Sequence, residues 1–315
     1  MDGVTRIQVA SGTRQSMASA ELQQLIAGMR ASGLDFTRAP GVVRSEFAAL
    51  LAAMPAPEGV EFRQITLGDL QALECRSHVT DGEGALLYFH GGGYIAGSAE
   101  GYRGLPAMLA EAMQLPAYSV DYRLAPEARF PAAVEDAAAA YRALVESGIP
   151  PARIVLAGDS AGGGLALAAL VSLRDQGVVL PAAALLLSPW VDLACQGESF
   201  ITKANEDPSL TPTGLQAAAG HYLGTADPRS PLASPLYASL AGLPPLLIQV
   251  GSAEILLDDA VRLAGRAGAA GTAVQLQIWP GMIHVWQSFA FMLPEGREAI
   301  SAAALFVRNL LSRMG

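Results

Sequence analysis

Hydrophobic and polar positions change period several times along this chain. Between Ser19 and Arg30, Leu22, Leu25, Ile26 and Met29 recur at i, i+3, i+4 and i+7 behind a Ser19 cap, which predicts an amphipathic helix. Phe47, Leu50 and Leu51 repeat the signature within 45–54, and Pro55-Ala56-Pro57-Glu58-Gly59 ends the helical region. From Val60 the alternation is short, predicting antiparallel strands at 60–67 and 72–79 near a sheet edge. Compact apolar runs then predict strands at 85–89, 116–120, 182–187, 246–250 and 274–279, with another ending at Gly158. Longer stretches between them predict helices at 132–147, just after Ser160, at 257–267 and at 297–312.

Strands alternating with helices imply a mostly parallel sheet covered on both faces, with ligands bound beyond the carboxyl ends of the strands. The alternation breaks over 195–234, where Pro, Asp and Gly surround one helical stretch at 213–223. Such an excursion reads as a functional insertion. Met17-Ala-Ser-Ala-Glu-Leu has the look of a natural start, so residues 1–16 are expected to be a leader or disordered tail and are set aside.

Composition narrows the picture. With 315 residues, 51% hydrophobic and 16% charged, the chain can bury a large core. A net charge of −9 without Lys/Arg blocks argues against a nucleic-acid partner. Cys75 and Cys195 lack metal-ligand spacing and read as free thiols of a reducing compartment, so a cytoplasmic location is expected. Four isolated histidines make a zinc site improbable. The long uncharged stretch 236–253 carries Gly and Pro-Pro and does not read as a membrane span.

The chemistry centres on Gly158-Asp159-Ser160-Ala161-Gly162, a serine at a strand-to-helix turn flanked by glycines. Such a turn exposes a serine hydroxyl above the sheet and aims the amide of Ala161 at developing negative charge. A serine nucleophile needs a histidine base. His78 lies within a strand, His221 in the insertion helix, and His90 is followed by three glycines. His284, in the loop after the last strand, is the best base. For the acid that orients it, the loop after strand 246–250 offers Glu254, Asp258 and Asp259; Asp258 also reads as a first-turn helix carboxylate. His90-Gly91-Gly92-Gly93-Tyr94 follows a strand and bares amides for an oxyanion.

These blocks, with Asp121 to Glu127, Phe130-Pro131-Ala132-Ala133, Ser188-Pro189-Trp190 and Pro280 to His284, resemble the bacterial hormone-sensitive lipase-like esterases of the α/β-hydrolases. The likeness covers nearly everything after Met17. It implies an α/β-hydrolase domain from 60–194 plus 235–315, with 17–59 and about 195–234 forming a helical cap. It implies a Ser160, Glu254 and His284 triad with Asp258 as fallback acid, since Glu254-Ile255-Leu256 stands where the family usually has Asp-Pro-Leu. Gly91 and Gly92 would supply oxyanion amides with Ala161, and the Asp121–Glu127 block would be structural. Tyr94, Trp190 and Ile283 are expected at the pocket. The implied reaction is hydrolysis of short-to-medium acyl esters through an acyl-enzyme, without metal or organic cofactor; a homodimer is compatible with the likeness.

Two rival readings use the same residues. Gly91-x-Gly93-x-x-Ala96 with Asp121 mimics a dinucleotide fingerprint, yet Gly97, Gly101, Gly104 and Pro106 delay the helix that motif requires. A non-catalytic binding protein on the same fold is the other, opposed by retention of His284.

Overall fold

The computed structural model describes residues 5–9, 19–80 and 83–313. Among the described residues nine strands form one sheet: β1 (Thr5–Val9), β2 (Val60–Leu67), β3 (Leu70–Ser77), β4 (Ala85–Phe89), β5 (Ala117–Val120), β6 (Ile154–Asp159), β7 (Ala183–Leu187), β8 (Leu246–Gly251) and β9 (Val274–Trp279). Their order across the sheet is β1-β9-β8-β7-β6-β4-β5-β3-β2. The β2–β3 and β3–β5 pairings are antiparallel, and the other pairings among the described residues are parallel. The hairpin turn is the dipeptide Gly68-Asp69, tighter than the four-residue gap expected, so β3 begins at Leu70.

Every residue of β4, β5, β6, β7 and β8 is buried, which explains why they read as unbroken apolar runs rather than alternations. Helices α1 (Ala20–Ser32), α2 (Pro40–Ala52), α3 (Gly104–Met113), α4 (Ala132–Glu146), α5 (Ala161–Asp175), α6 (Ser199–Thr202), α7 (Pro212–Leu223), α8 (Leu257–Ala269) and α9 (Pro294–Leu311) complete the chain. α2 starts earlier than its apolar stripe, because Pro40 opens the first turn without needing an amide donor. α3 is hidden in the sequence by Gly104 and Pro106 in its first turn; its buried face carries Leu105, Leu109 and Met113.

The segment set aside at the N-terminus contributes to the sheet. Thr5–Val9 pairs in parallel with Val274–Ile278 and forms one edge; residues 1–4 and 10–18 lie outside the described residues.

Two packing relationships position the site. Leu22 and Leu25 of α1 join Met282, Ile283, Trp286 and Phe289 in a separate apolar cluster, so the first helix buttresses the segment that carries His284. Arg44 of α2 donates to the carbonyls of Ile95 and Ala125 at 2.7 and 2.8 Å and to both carboxylate oxygens of Glu127. That guanidinium ties α2 to the Asp121–Glu127 block, where Arg123 also holds Asp136 through both Nε and Nη2.

Candidate active site

β4, β6, β7, β8 and β9 run parallel, so the loops after them emerge at one end of the sheet. Ser160 leaves β6 with φ 53° and ψ −122°, a sparsely populated conformation for a residue with a side chain. The flanking glycines make that turn sterically possible. A Cβ on Gly162 would lie 2.6 Å from the His90 carbonyl oxygen and against that of Phe89; one on Gly158 would lie 2.7 Å from the same Phe89 oxygen. The start of α5 therefore sits directly on the backbone end of β4. Ala161 opens that helix, where amides lack intrahelical acceptors and the helix dipole is positive.

The glycine loop is held from behind. Asp159, one residue before the serine, is buried and accepts from Tyr88 Oη at 2.6 Å, from the Gly91 amide at 3.0 Å and from Tyr102 Oη at 3.2 Å. Burial pushes its carboxyl up to about 6, against the Tyr88 hydrogen bond and the His284 charge. His90 Nδ1 lies 2.8 Å from the Gly91 carbonyl, and its ring stacks on Tyr122 at 4.4 Å. In a trans peptide the carbonyl of one residue and the amide of the next point oppositely. Anchoring the Gly91 carbonyl on His90 thus turns the Gly92 amide away from His90.

Glu254 and His284 meet after β8 and β9, the neighbouring strands. Glu254 Oε2 lies 2.7 Å from His284 Nδ1, while Oε1 accepts from the Gly251 amide at 2.6 Å and from Ser188 Oγ at 2.8 Å. Ser188 Oγ in turn accepts from the Val285 amide at 3.2 Å. Burial alone would lower the His284 pKa, but the Glu254 hydrogen bond and charge, then the charges of Asp207 and Asp159, raise it.

Ser160 and His284 open into an apolar cleft of about 680 Å³, counting the space at its mouth. Its walls come from α2 and the preceding link (Phe36, Phe47, Leu51), from the insertion (Leu210, Leu215) and from Phe289 beyond His284. Gly92 and Gly93 also face it; Asp159 and His284 are its only charged or imidazole side chains among the described residues.

This constellation has close counterparts. The α/β-hydrolase fold family matches residues 86–288. An acetyl-hydrolase of Streptomyces hygroscopicus is 51% identical over 78% of this chain and 82% of its own, and an esterase of Acinetobacter venetianus 36% identical over 86% and 90%. Among solved structures, an esterase of the bacterial hormone-sensitive lipase family aligns with a TM-score of 0.91 at 44% identity, covering 94% of this chain and all of that one. The chain belongs to the hormone-sensitive lipase family of α/β-hydrolases. It is a carboxylic ester hydrolase.

In this esterase several sequence expectations meet a different geometry. The Gly91 amide is already engaged by Asp159 and is not free for an oxyanion; the glycines facing the cleft are Gly92 and Gly93, one position further on. Asp258, the fallback acid, accepts from the Ser199 amide at 2.8 Å and is tied to the insertion rather than to His284. Tyr94, Trp190 and Ile283 lie outside the cleft walls. Tyr94 stacks on Tyr222 at 3.9 Å with Trp190 beside it, and Ile283 packs under α1. Being apolar and next to motifs, they resembled lining residues, but only burial geometry separates a wall from the layer behind it.

The dinucleotide reading fails on two counts: α3 begins only at Gly104, and the Asp121 carboxylate accepts from the Ala99 amide at 2.7 Å. Cys75 and Cys195 are unpaired. Among the described residues no helix is long and apolar enough to cross a membrane, and no three His, Cys, Asp or Glu side chains cluster as metal ligands.

Proposed function

We propose that this esterase cleaves uncharged carboxylic esters of short-to-medium acyl length, with Ser160 as nucleophile, His284 as base and Glu254 as the acid that orients it. The observation carrying the reading is the 2.7 Å contact between Glu254 and His284, whose imidazole lines the same cleft as Ser160. Glu254 accepting from Nδ1–H fixes the tautomer and leaves Nε2 as the base. Nε2 takes the Ser160 proton while Oγ bonds to the ester carbon and the carbonyl electrons move onto oxygen. The amides of Gly92, Gly93 and Ala161 stabilise that oxyanion, each contributing roughly 3 kcal/mol. Collapse breaks the bond to the alkoxy group, which leaves with the proton from Nε2. Water then repeats the sequence on the acyl-enzyme and releases the acid.

The cleft supports the substrate class. Among the described residues its walls carry no Lys or Arg, so an anionic acyl chain would lose its hydration without gaining a cationic side-chain partner there. We assign α1, α2 and the 195–234 insertion the role of a cap over the acyl chain, because all three contribute cleft walls.

The test is turnover of p-nitrophenyl esters graded from acetate to decanoate, with Ser160→Ala, His284→Ala and Glu254→Ala beside the wild type. Each of the first two is expected to lose roughly 10⁴-fold or more in kcat. Wild-type turnover by Ser160→Ala would overturn the mechanism, and a rising rate up to decanoate would overturn the acyl range.

A further inference from the structure

The 195–234 insertion contacts the acid-bearing loop as well as the cleft. Asp207, buried within it, uses Oδ1 to accept from the amides of Ser209 and Leu210 at 2.8 and 2.9 Å, closing the turn whose residues line the cleft. Its other oxygen, Oδ2, accepts from the Ile255 amide at 2.9 Å. Ile255 directly follows Glu254, and its carbonyl is held too: Ser199 Oγ, from the start of α6, donates to it at 2.6 Å. Both polar groups of the residue next to the acid are thus bonded to the insertion. The backbone groups of Ile255 keep these partners only while the insertion stays docked, whereas the amides of Ser252 and Ala253 are held by the carbonyls of Trp279 and Met282.

We propose that Asp207 is a positioning residue of the catalytic pair, one carboxylate that sets both the cleft wall at Leu210 and the loop presenting Glu254 to His284. The proposal rests on Glu254 being the acid of the triad. Its consequence is that seating of the insertion over an acyl chain and alignment of Glu254 are one event rather than two. A neutral amide with the same shape can serve only one of the two bonding directions with its oxygen, so Asn at 207 must release either the turn or Ile255.

Electrostatics add a separate signature. The carboxylates around His284 are Glu254 from the loop after β8, Asp207 from the insertion and Asp159 from the end of β6, and all three favour the imidazolium. Burial raises the Asp207 carboxyl, and the His284 charge opposes that rise. Removing the Asp207 charge lowers the His284 pKa, so the acidic limb of the rate profile moves to lower pH.

The experiment measures kcat, KM and the pH dependence of kcat/KM for p-nitrophenyl butyrate with wild type, Asp207→Asn, Ser199→Ala, Glu254→Ala and the Asp207→Asn/Glu254→Ala double variant. Asp207→Asn is expected to lose about tenfold or more in kcat, the scale of one hydrogen bond to a charged group. Its acidic limb should shift to lower pH, and the loss should largely vanish in the Glu254→Ala background. Ser199→Ala keeps the charge, so it should lower kcat without moving the limb; it carries the test if Asp207→Asn does not fold. An unshifted limb with full kcat in Asp207→Asn overturns the proposal, as does a loss that simply adds to that of Glu254→Ala, or full kcat in Ser199→Ala when Asp207→Asn is unfolded. Retained activity in Glu254→Ala alone would instead remove the triad assignment.

Discussion

The Gly91 amide donates to Asp159 Oδ1 at 3.0 Å, so the residue beside Ser160 also holds the glycine loop that follows β4. Asp159 collects two tyrosine hydroxyls on the same carboxylate. Asp159→Asn replaces one acceptor oxygen by donors facing other donors. We expect kcat to fall about tenfold or more with KM changed far less, together with a lower Tm. Steady-state kinetics with a thermal melt checks this; unchanged kcat would mean the glycine loop holds its shape alone.

Gly92 and Gly93 adopt φ of 111° and 62°, conformations that favour glycine. A Cβ on Gly92 would run into the Ala96 carbonyl, whereas one on Gly93 would approach Ala218 Cβ at 3.2 Å and Phe36 Cε1 at 3.3 Å. Both Ala variants should lose kcat, Gly92→Ala by about 10²-fold or more because its obstacle is backbone and cannot yield. Comparison of kcat in the two variants tests the order; equal and wild-type rates would exclude the loop from catalysis.

Leu215 of α7 and Phe36 line the cleft, whereas Tyr94 stands outside it. Leu215→Trp should cut kcat/KM for octanoate about tenfold more than for acetate, since lost cleft volume excludes methylenes. Tyr94→Phe should leave the ratio unchanged. A p-nitrophenyl ester series measures both, and an altered ratio in Tyr94→Phe would return that residue to the wall.

The His284 pKa is raised by its Glu254 partner, so the acidic limb of kcat/KM should lie above the ordinary imidazole value of 6.5. Glu254→Gln keeps the shape but removes the charge, and should move that limb to lower pH while reducing kcat. A pH profile of each enzyme decides it; a limb that stays put would separate Glu254 from His284.

Asp259, in the first turn of α8, is buried and accepts from the amides of Val191 and Asp192, both at 2.9 Å, while its Oδ1 has no partner. Burial, then the charge of Asp192, pushes its carboxyl up to about 8 from 3.8. A raised value means the folded state holds the proton more tightly. The stability this group contributes is therefore full below about pH 3.8 and is lost as pH rises through about 8. Asp259→Asn should flatten the fall in Tm between about pH 5 and 8, measured by thermal melts across that range. Parallel curves for both proteins would contradict the assignment.

Much of this was legible in the residues. Apolar runs located the strands, Gly158 to Gly162 marked the elbow, and Glu254 and His284 follow adjacent strands of a parallel sheet. These signals are local, because buried strands and tight turns demand particular residue types within a few positions. The α3 helix is hidden because Gly104 and Pro106 imitate a loop, and the edge strand Thr5–Val9 because five residues carry little periodicity.

What the sequence by itself determined is the order of strands, turn and helices and the chemistry placed at each turn. What only the tertiary structure decided is which polar groups are already used. Gly91 and Gly92 are equivalent as letters, yet the first is consumed by Asp159. Asp258 and Glu254 are both carboxylates near β8, yet one bonds the Ser199 amide and the other the His284 ring. A hydrogen bond depends on distances between segments far apart in the chain, and that information exists only once the core has brought them together.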